Sequence, residues 1–419
     1  MKAILHIGAP KTGTTTLQYF LVKNHQALRK QNIFIPAYAD TYASHIKLAV
    51  ATYLPDVWES QPGFSFLGHH FYHCHVKKNF PSLEKEKKTL TPDDQERLWE
   101  EYRREIETNC TRDDLVIFSS EHLAGFHDNY EAERVKKLMD SLFDDITIVL
   151  YLRRQPEYLV SYYSTSICWH GAPWTFGEHP HSPAYDKLLK RWSIFGKDKI
   201  KVRLFDKQEL HNHDIFSDFA ATVGFDMAGL ERVENQNETT LNSAETEFLR
   251  LFNSHVPRLL DPWTLNAGCD QVLSILFSRR NNPKEKQKAW HLNREEARQI
   301  LEQYREGNDW VAREYLGREK LFDEDVSMYP ETVASPHGLT IEKCVEITAH
   351  IYKELQAEKL RQNEEICRLQ GEVLRLQALP PPIVKGILLP RWLGQFITCF
   401  MPKKKNRQRF RAKYVKNKE

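Results

Sequence analysis

The 419-residue chain is marked first by what is missing. Its seven cysteines (74, 110, 168, 269, 344, 367 and 399) are odd in number and include no Cys-x-x-Cys pair, which excludes a disulfide framework and fits a reducing compartment. No uninterrupted apolar run reaches the roughly 18 to 20 residues that span a bilayer. Met1 to Gly8 lacks the apolar core and small-residue cleavage site of a secretory signal, so it reads as a first strand. No internal repeat is visible. At 41% hydrophobic and 28% charged residues, the composition is that of a globular protein rather than a disordered one.

Net charge is also nearly absent, at +2. That balance is the sum of two unequal parts. Residues 402 to 419 hold nine basic residues and one acid, for +8. The preceding 401 residues hold fifty basic and fifty-six acidic ones, for −6. An acidic body and a basic tail suggest two tasks in two places.

Short β-rich apolar runs alternate with longer amphipathic segments. Ala3–Gly8, Leu115–Ser120, Ile146–Leu152 and Ile200–Phe205 read as strands, the rhythm of an α/β fold with a parallel sheet and crossover helices. Tyr42 to Arg112 is a long connection rich in His, Trp and charge, expected to form a variable insertion that serves as a lid or acceptor-binding region. Leu241 to about Leu321 carries helical periodicity and is assigned to the same catalytic unit, residues 1–330. Residues 331–379 form a helical spacer, with Leu355, Ile366, Leu369, Val373 and Leu376 at heptad-like spacings interrupted by Lys359 and Gln362. This helix is a candidate surface for homo-oligomers. The prolines at 380–382 end it. Residues 380–419 then combine Trp392, Phe396 and Phe400 with the basic run, which suits an anchor on an anionic membrane surface, peripheral to the cytoplasmic face. The alternative is a solvated end. Nucleic acid is disfavoured as a partner, because the body is acidic and no nucleic-acid module is recognisable.

The sharpest local signal is Ile4 to Leu17, a strand, a tight loop and a helix start containing Gly8, Pro10, Lys11, Thr12, Gly13, Thr14, Thr15 and Thr16. Backbone N–H groups at a helix N-terminus, one lysine and several hydroxyls converge there, which is an anion site. Gly8-x4-Gly13 has the spacing of a nucleoside triphosphatase loop. Yet Thr14 and Thr15 stand where that loop requires Lys and then Ser/Thr, which disfavours an ATP-dependent kinase.

The Pro10-Lys11-Thr12-Gly13-Thr14-Thr15 arrangement resembles the 5′-phosphosulfate loop of sulfotransferases that use 3′-phosphoadenosine 5′-phosphosulfate (PAPS). Arg153 and Ser161, eight residues apart after a later strand, resemble that family's 3′-phosphate motif. Arg153 to Pro156 is one residue longer than the common Arg-x-Pro, so either Arg153 or Arg154 could be the ligand. Tyr185 to Trp192 and Asn308 to Gly317 are similar to segments of bacterial surface-polysaccharide sulfotransferases. The resemblance covers roughly residues 1 to 325.

It implies a P-loop-like three-layer fold, PAPS as co-substrate with no metal, and a carbohydrate or lipid-linked glycan acceptor in surface-polysaccharide biosynthesis. Lys11 then stabilises the leaving group. Glu121, in a Ser119-Ser120-Glu121 sequence at a strand end, takes the acceptor's proton, with His122 as substitute. Glu121 could instead cap the next helix or pair with an arginine. His69, His70, His73, Cys74 and His75 match no standard zinc spacing and are read as part of a polar lid. His45 is either a substrate contact or a structural histidine. A non-catalytic membrane scaffold assembled through the 341–379 helix is the remaining alternative.

Overall fold

A computed structural model describes residues 1–36, 44–52, 92–125, 129–169, 171–178, 183–233, 241–256, 267–278, 291–333 and 338–378. The chain divides into two units, Met1–Cys344 and Val345–Glu419. In chain order the first unit contains β1 (Lys2–His6), α1 (Thr14–Lys23), α2 (His25–Arg29), β2 (Ile33–Phe34), α3 (Ile46–Val50), α4 (Pro92–Asn109) and β3 (Leu115–Ser119). There follow α5 (Asn129–Asp140), β4 (Asp145–Leu152), α6 (Gln155–Trp169), α7 (Tyr185–Trp192), β5 (Ile200–Leu204) and α8 (Ile215–Val223). The unit continues with α9 (Ser243–His255), α10 (Ala267–Ser278) and α11 (Arg294–Val311), and the long helix α12 (Ile341–Ala378) lies mostly in the second unit.

All five strands are parallel, in the order β2-β3-β1-β4-β5. A strand buried on both faces is apolar over most of its length, as Ala3, Ile4 and Leu5 of β1 and the following Ile7 are, and its one buried polar residue, His6, is hydrogen-bonded to Ser119. Successive side chains then feed opposite layers. Leu5, Ile7, Phe118, Ile148, Leu150 and Leu152 pack with Val135 and Met139 of α5 and Leu189 and Trp192 of α7. Ile4, Ile117, Val149 and Tyr151 pack on the other face with Leu17, Phe20 and Leu21 of α1 and Phe216 and Phe219 of α8. Helices on both faces of a parallel sheet make three layers, as expected.

One buried ionic cluster ties α8 to the sheet. Asp218 is fully buried and accepts from Tyr151 Oη (2.8 Å), Arg203 Nε (2.9 Å) and the His211 N–H (2.9 Å). Helix starts follow local sequence closely: Asn242 with Glu245, and Asn293 with Glu296, form complete capping boxes for α9 and α11.

Two differences from the sequence expectations have physical causes, and one open reading is resolved. β2 is only two residues long and is held by pairing with Leu115 and Val116, a non-local contact that local periodicity does not report. The ends of the Tyr42–Arg112 connection are helical, and Leu48, Ala49, Trp99, Tyr102 and Ile106 enter the core beside Phe118. The middle of that connection, with the histidines and cysteine of 69–75, lies outside the described residues, as do residues 379–419. His45 is structural: its Nδ1 accepts from the Ser119 N–H (2.9 Å), its Nε2–H donates to the Pro36 carbonyl (3.0 Å), and its own N–H donates to the Ser119 carbonyl (2.9 Å).

Candidate functional site

The sheet order sets the location. From β1 the chain builds one side of the sheet through β2 and β3, then crosses to build the other side through β4 and β5. The crevice at such a switch point, beyond the carboxyl ends of the strands, is where open α/β sheets bind ligands. Three loops open there: 8–13 after β1, 120–125 after β3, and 153–154 after β4.

The first loop is held to β4 before it turns. The Ile7 N–H donates to the Val149 carbonyl (3.1 Å), the Ala9 N–H to the Tyr151 carbonyl (2.9 Å), and the Tyr151 N–H to the Gly8 carbonyl (2.7 Å). Gly8 has φ +100°, and a Cβ there would lie 3.1 Å from Glu121 Cα and Cβ, so only glycine lets the second loop come this close. Gly13 has φ +76°, and its Cβ would lie 2.9 Å from the Phe205 ring. Lys11 takes the left-handed conformation as well, at φ +65°, unusual for a residue with a side chain. Thr12 Oγ1 donates to the Ala9 carbonyl at 2.5 Å and closes the turn. α1 starts at Thr14 without a side-chain cap, since Gly13 occupies the capping position. The positive end of the helix dipole therefore faces the loop.

Two cations meet at this loop. Lys11 Nζ donates to Thr165 Oγ1 at 2.6 Å, and that hydroxyl donates to the Ser161 carbonyl one turn earlier on α6. Arg153 donates from one terminal nitrogen to the Lys11 carbonyl at 2.9 Å, and its guanidinium carbon lies 5.7 Å from the centre of the Phe205 ring. Burial lowers the Lys11 pKa, Arg153 lowers it further, and Glu121 opposes both. Burial is also the main cause that lowers the Arg153 pKa. Two half-buried, mutually repelling cations form a preset positive field, the arrangement a polyanion relieves.

Arg154 points elsewhere. It pairs with Glu157 (2.7 Å) and donates to the Asp325 carbonyl (2.6 Å), while Glu157 also accepts from Tyr329 Oη (2.9 Å). Of the two arginines left open by the sequence, Arg153 is the one beside the loop. Ser161 is half-buried on α6, and its hydroxyl makes no hydrogen bond among the described residues.

Glu121 opens the turn after β3 (Glu121–Gly125) and accepts from Gln18 Nε2 at 2.6 Å. It neither caps a helix nor pairs with an arginine among the described residues. A carboxylate only accepts, so the buried Gln18 amide must present its nitrogen here. His122 is half-buried, and burial lowers its pKa while Glu121 raises it. Beneath the loop, His6 is buried, shares a 2.8 Å hydrogen bond between Nδ1 and Ser119 Oγ, and is pushed down to about 4 by burial.

The structure thus brings Lys11, Thr12, Gly13, Thr14, Arg153 and Glu121 together at the carboxyl ends of β1, β3 and β4. Gln18, Thr165 and Phe205 are additions that motif reading missed. The signal for the first two was their spacing: Gln18 is one turn past Thr14, and Thr165 one turn past Ser161. Among the described residues no group of three or more His, Cys, Asp or Glu side chains could hold a metal ion, and no helix is long and apolar enough to cross a membrane.

No family model matches the chain. An uncharacterized protein from Archaeoglobus fulgidus is 25% identical over 209 residues, which are 48% of this chain and 54% of that protein, so the chain matches about half the length of that relative. Among solved structures, a sulfotransferase from Alicyclobacillus acidocaldarius is similar over 62% of this chain and 97% of its own, with 18% identity and a TM-score of 0.34.

Proposed function

We propose that the chain transfers a sulfuryl group from PAPS to a hydroxyl of a glycan or glycolipid acceptor. The observation that carries this reading is the meeting of Lys11 and Arg153 at an uncapped helix N-terminus, with Glu121 on the adjacent strand end. The lysine loop lacks the Gly-Lys-Ser/Thr sequence by which P-loop nucleoside triphosphatases hold Mg²⁺, so the cationic site suits a donor that needs no metal.

In this reading the loop N–H groups and the α1 dipole hold the 5′-phosphosulfate, while Arg153 and the Ser161 hydroxyl hold the 3′-phosphate. The acceptor oxygen attacks sulfur in line, its O–S bond forming as the bond from sulfur to the bridging phosphate oxygen breaks. Glu121 takes the hydroxyl proton, and Lys11 stabilises the negative charge that develops on the bridging oxygen. Thr165 accepts the lysine ammonium's hydrogen bond. The rest of the catalysis is positioning, as in phosphoryl transfer.

The basic tail, residues 402–419, is proposed to hold the enzyme on an anionic membrane surface where a lipid-linked acceptor would be presented. Labelled-sulfate transfer from PAPS across a panel of glycans and lipids tests the activity. Turnover that fails with PAPS but proceeds with ATP and Mg²⁺ would overturn it.

A further inference from the structure

We propose that a second copy of this chain docks along α12 as a parallel, in-register, two-stranded coiled coil over residues 352–376. α12 runs for 38 residues, roughly 57 Å at ~1.5 Å per residue. Past Ile351 its described residues are exposed or half-buried, including large apolar ones: Tyr352 is 62% exposed and Ile366 49%. A solitary helix with so little burial gains almost nothing to offset its ordering.

The pattern of these residues specifies the occupant. Taking Tyr352 as heptad position a puts Lys359, Ile366 and Val373 at a, and Leu355, Gln362, Leu369 and Leu376 at d. The C-terminal half therefore reads Ile-Leu-Val-Leu, with β-branched residues at a and leucine at d. That combination favours two parallel strands over three or four.

Charge on the flanks selects the same arrangement. Position g is Glu358, Glu365 and Glu372, while position e is Gln356, Asn363, Gln370 and Gln377. In a parallel pair each g faces an e of the second copy, so glutamates meet amides. In an antiparallel pair g faces g, and glutamates would meet glutamates. Arg361 and Arg368 pair with these glutamates along the same helix (Arg361 with Glu358 at 2.9 Å, Arg368 with Glu365 at 2.6 Å), which keeps them folded along the seam's flank.

The polar break also finds a use. Lys359 makes no hydrogen bond or ion pair within its own chain among the described residues, and in a parallel pair an a residue lies beside the preceding g of the second copy, here Glu358. A single polar a position of this kind costs stability and penalises slipped registers. Lys359 and Gln362 are then the register-setting layer of the seam and not its interruption.

The test reads mass, so it is independent of the proposed activity. The full-length chain should sediment at twice its 49.3 kDa mass. Ile366→Asp combined with Leu369→Asp should halve that mass without shifting the unfolding midpoint of the α/β unit. Leu374→Asp, more exposed and off the seam, should leave the dimer intact. In a Cys367→Ser background, Leu369→Cys should give an oxidant-dependent intermolecular disulfide absent from the same background without it. A wild-type monomer, a dimer that survives the double substitution, equal disruption by Leu374→Asp, or no additional cross-link at position 369 would each overturn the proposal.

Discussion

Arg153 and Lys11, 142 residues apart in sequence, are joined by a 2.9 Å hydrogen bond from the guanidinium to the lysine carbonyl. The contact fixes the loop after β1 to the loop after β4, and it separates the roles of two adjacent arginines. Replacing Arg153 by Ala should weaken binding of adenosine 3′,5′-bisphosphate by roughly 10- to 100-fold, the worth of a charge-assisted hydrogen bond or two. Arg154→Ala should instead lower the melting temperature and leave the affinity within a few-fold, because its partners are Glu157 and the Asp325 carbonyl. Titration calorimetry and thermal melts on both variants decide the matter.

Glu121 and Gln18 should divide in kinetics. Glu121→Gln should abolish sulfuryl transfer while nucleotide binding persists, since in the proposed mechanism the carboxylate takes the acceptor's proton and does not hold the nucleotide. Gln18→Leu removes the amide that orients the carboxylate and should lower kcat by about tenfold with nucleotide affinity unchanged, a loss of one hydrogen bond's worth of positioning. Steady-state kinetics beside equilibrium binding gives the split; near-normal turnover in Glu121→Gln would remove it from the role of base.

Stability should fall in mild acid because of two buried histidines. His6 and His45 are both pushed down to about 4 by burial, from a usual value of 6.5. Between those values the unfolded chain binds protons that the folded chain refuses, so stability is full above about 6.5 and is lost as pH falls toward 4. Each group contributes on the order of 3 kcal/mol across that window. Denaturant unfolding from pH 7 to pH 5 should show the decline, and His45→Asn, which keeps an acceptor for the Ser119 N–H, should flatten it. An unchanged slope in that variant would exclude His45 as a source.

Removal of residues 380–419 should release the protein from vesicles that contain anionic lipid, because the deleted segment carries the +8 of residues 402–419. Co-sedimentation with anionic and neutral vesicles at low and high salt provides the measurement. Binding that persists after truncation would place the membrane contact elsewhere.

Asp218 is the stability hot spot of the sheet. Its carboxylate is fully buried and serves Tyr151, Arg203 and the His211 N–H at once. Asp218→Ala leaves the guanidinium and phenol without their partner and should cost about 3 to 5 kcal/mol in denaturant unfolding.

Sequence alone was enough for the features whose causes are local. Short apolar runs reported β1, β3, β4 and β5 because a strand buried on both faces tolerates few polar residues, and those only when paired, as His6 is with Ser119. Helical periodicity reported the α9 and α11 segments, and charge counting separated the acidic body from the basic tail. Tertiary structure decided whatever depends on which strands are neighbours. β2 exists only through its pairing with β3, and the ends of the 42–112 connection became core because Trp99, Tyr102 and Ile106 found Phe118. That Arg153 and not Arg154 stands beside the loop follows from one side chain facing the Lys11 carbonyl and the next facing Glu157, a one-residue difference that spacing does not resolve. Gln18 and Thr165 gained their roles the same way. A hydrogen bond needs its partner within about 3 Å, and for both residues that partner comes from a distant part of the chain, brought close only by the sheet order.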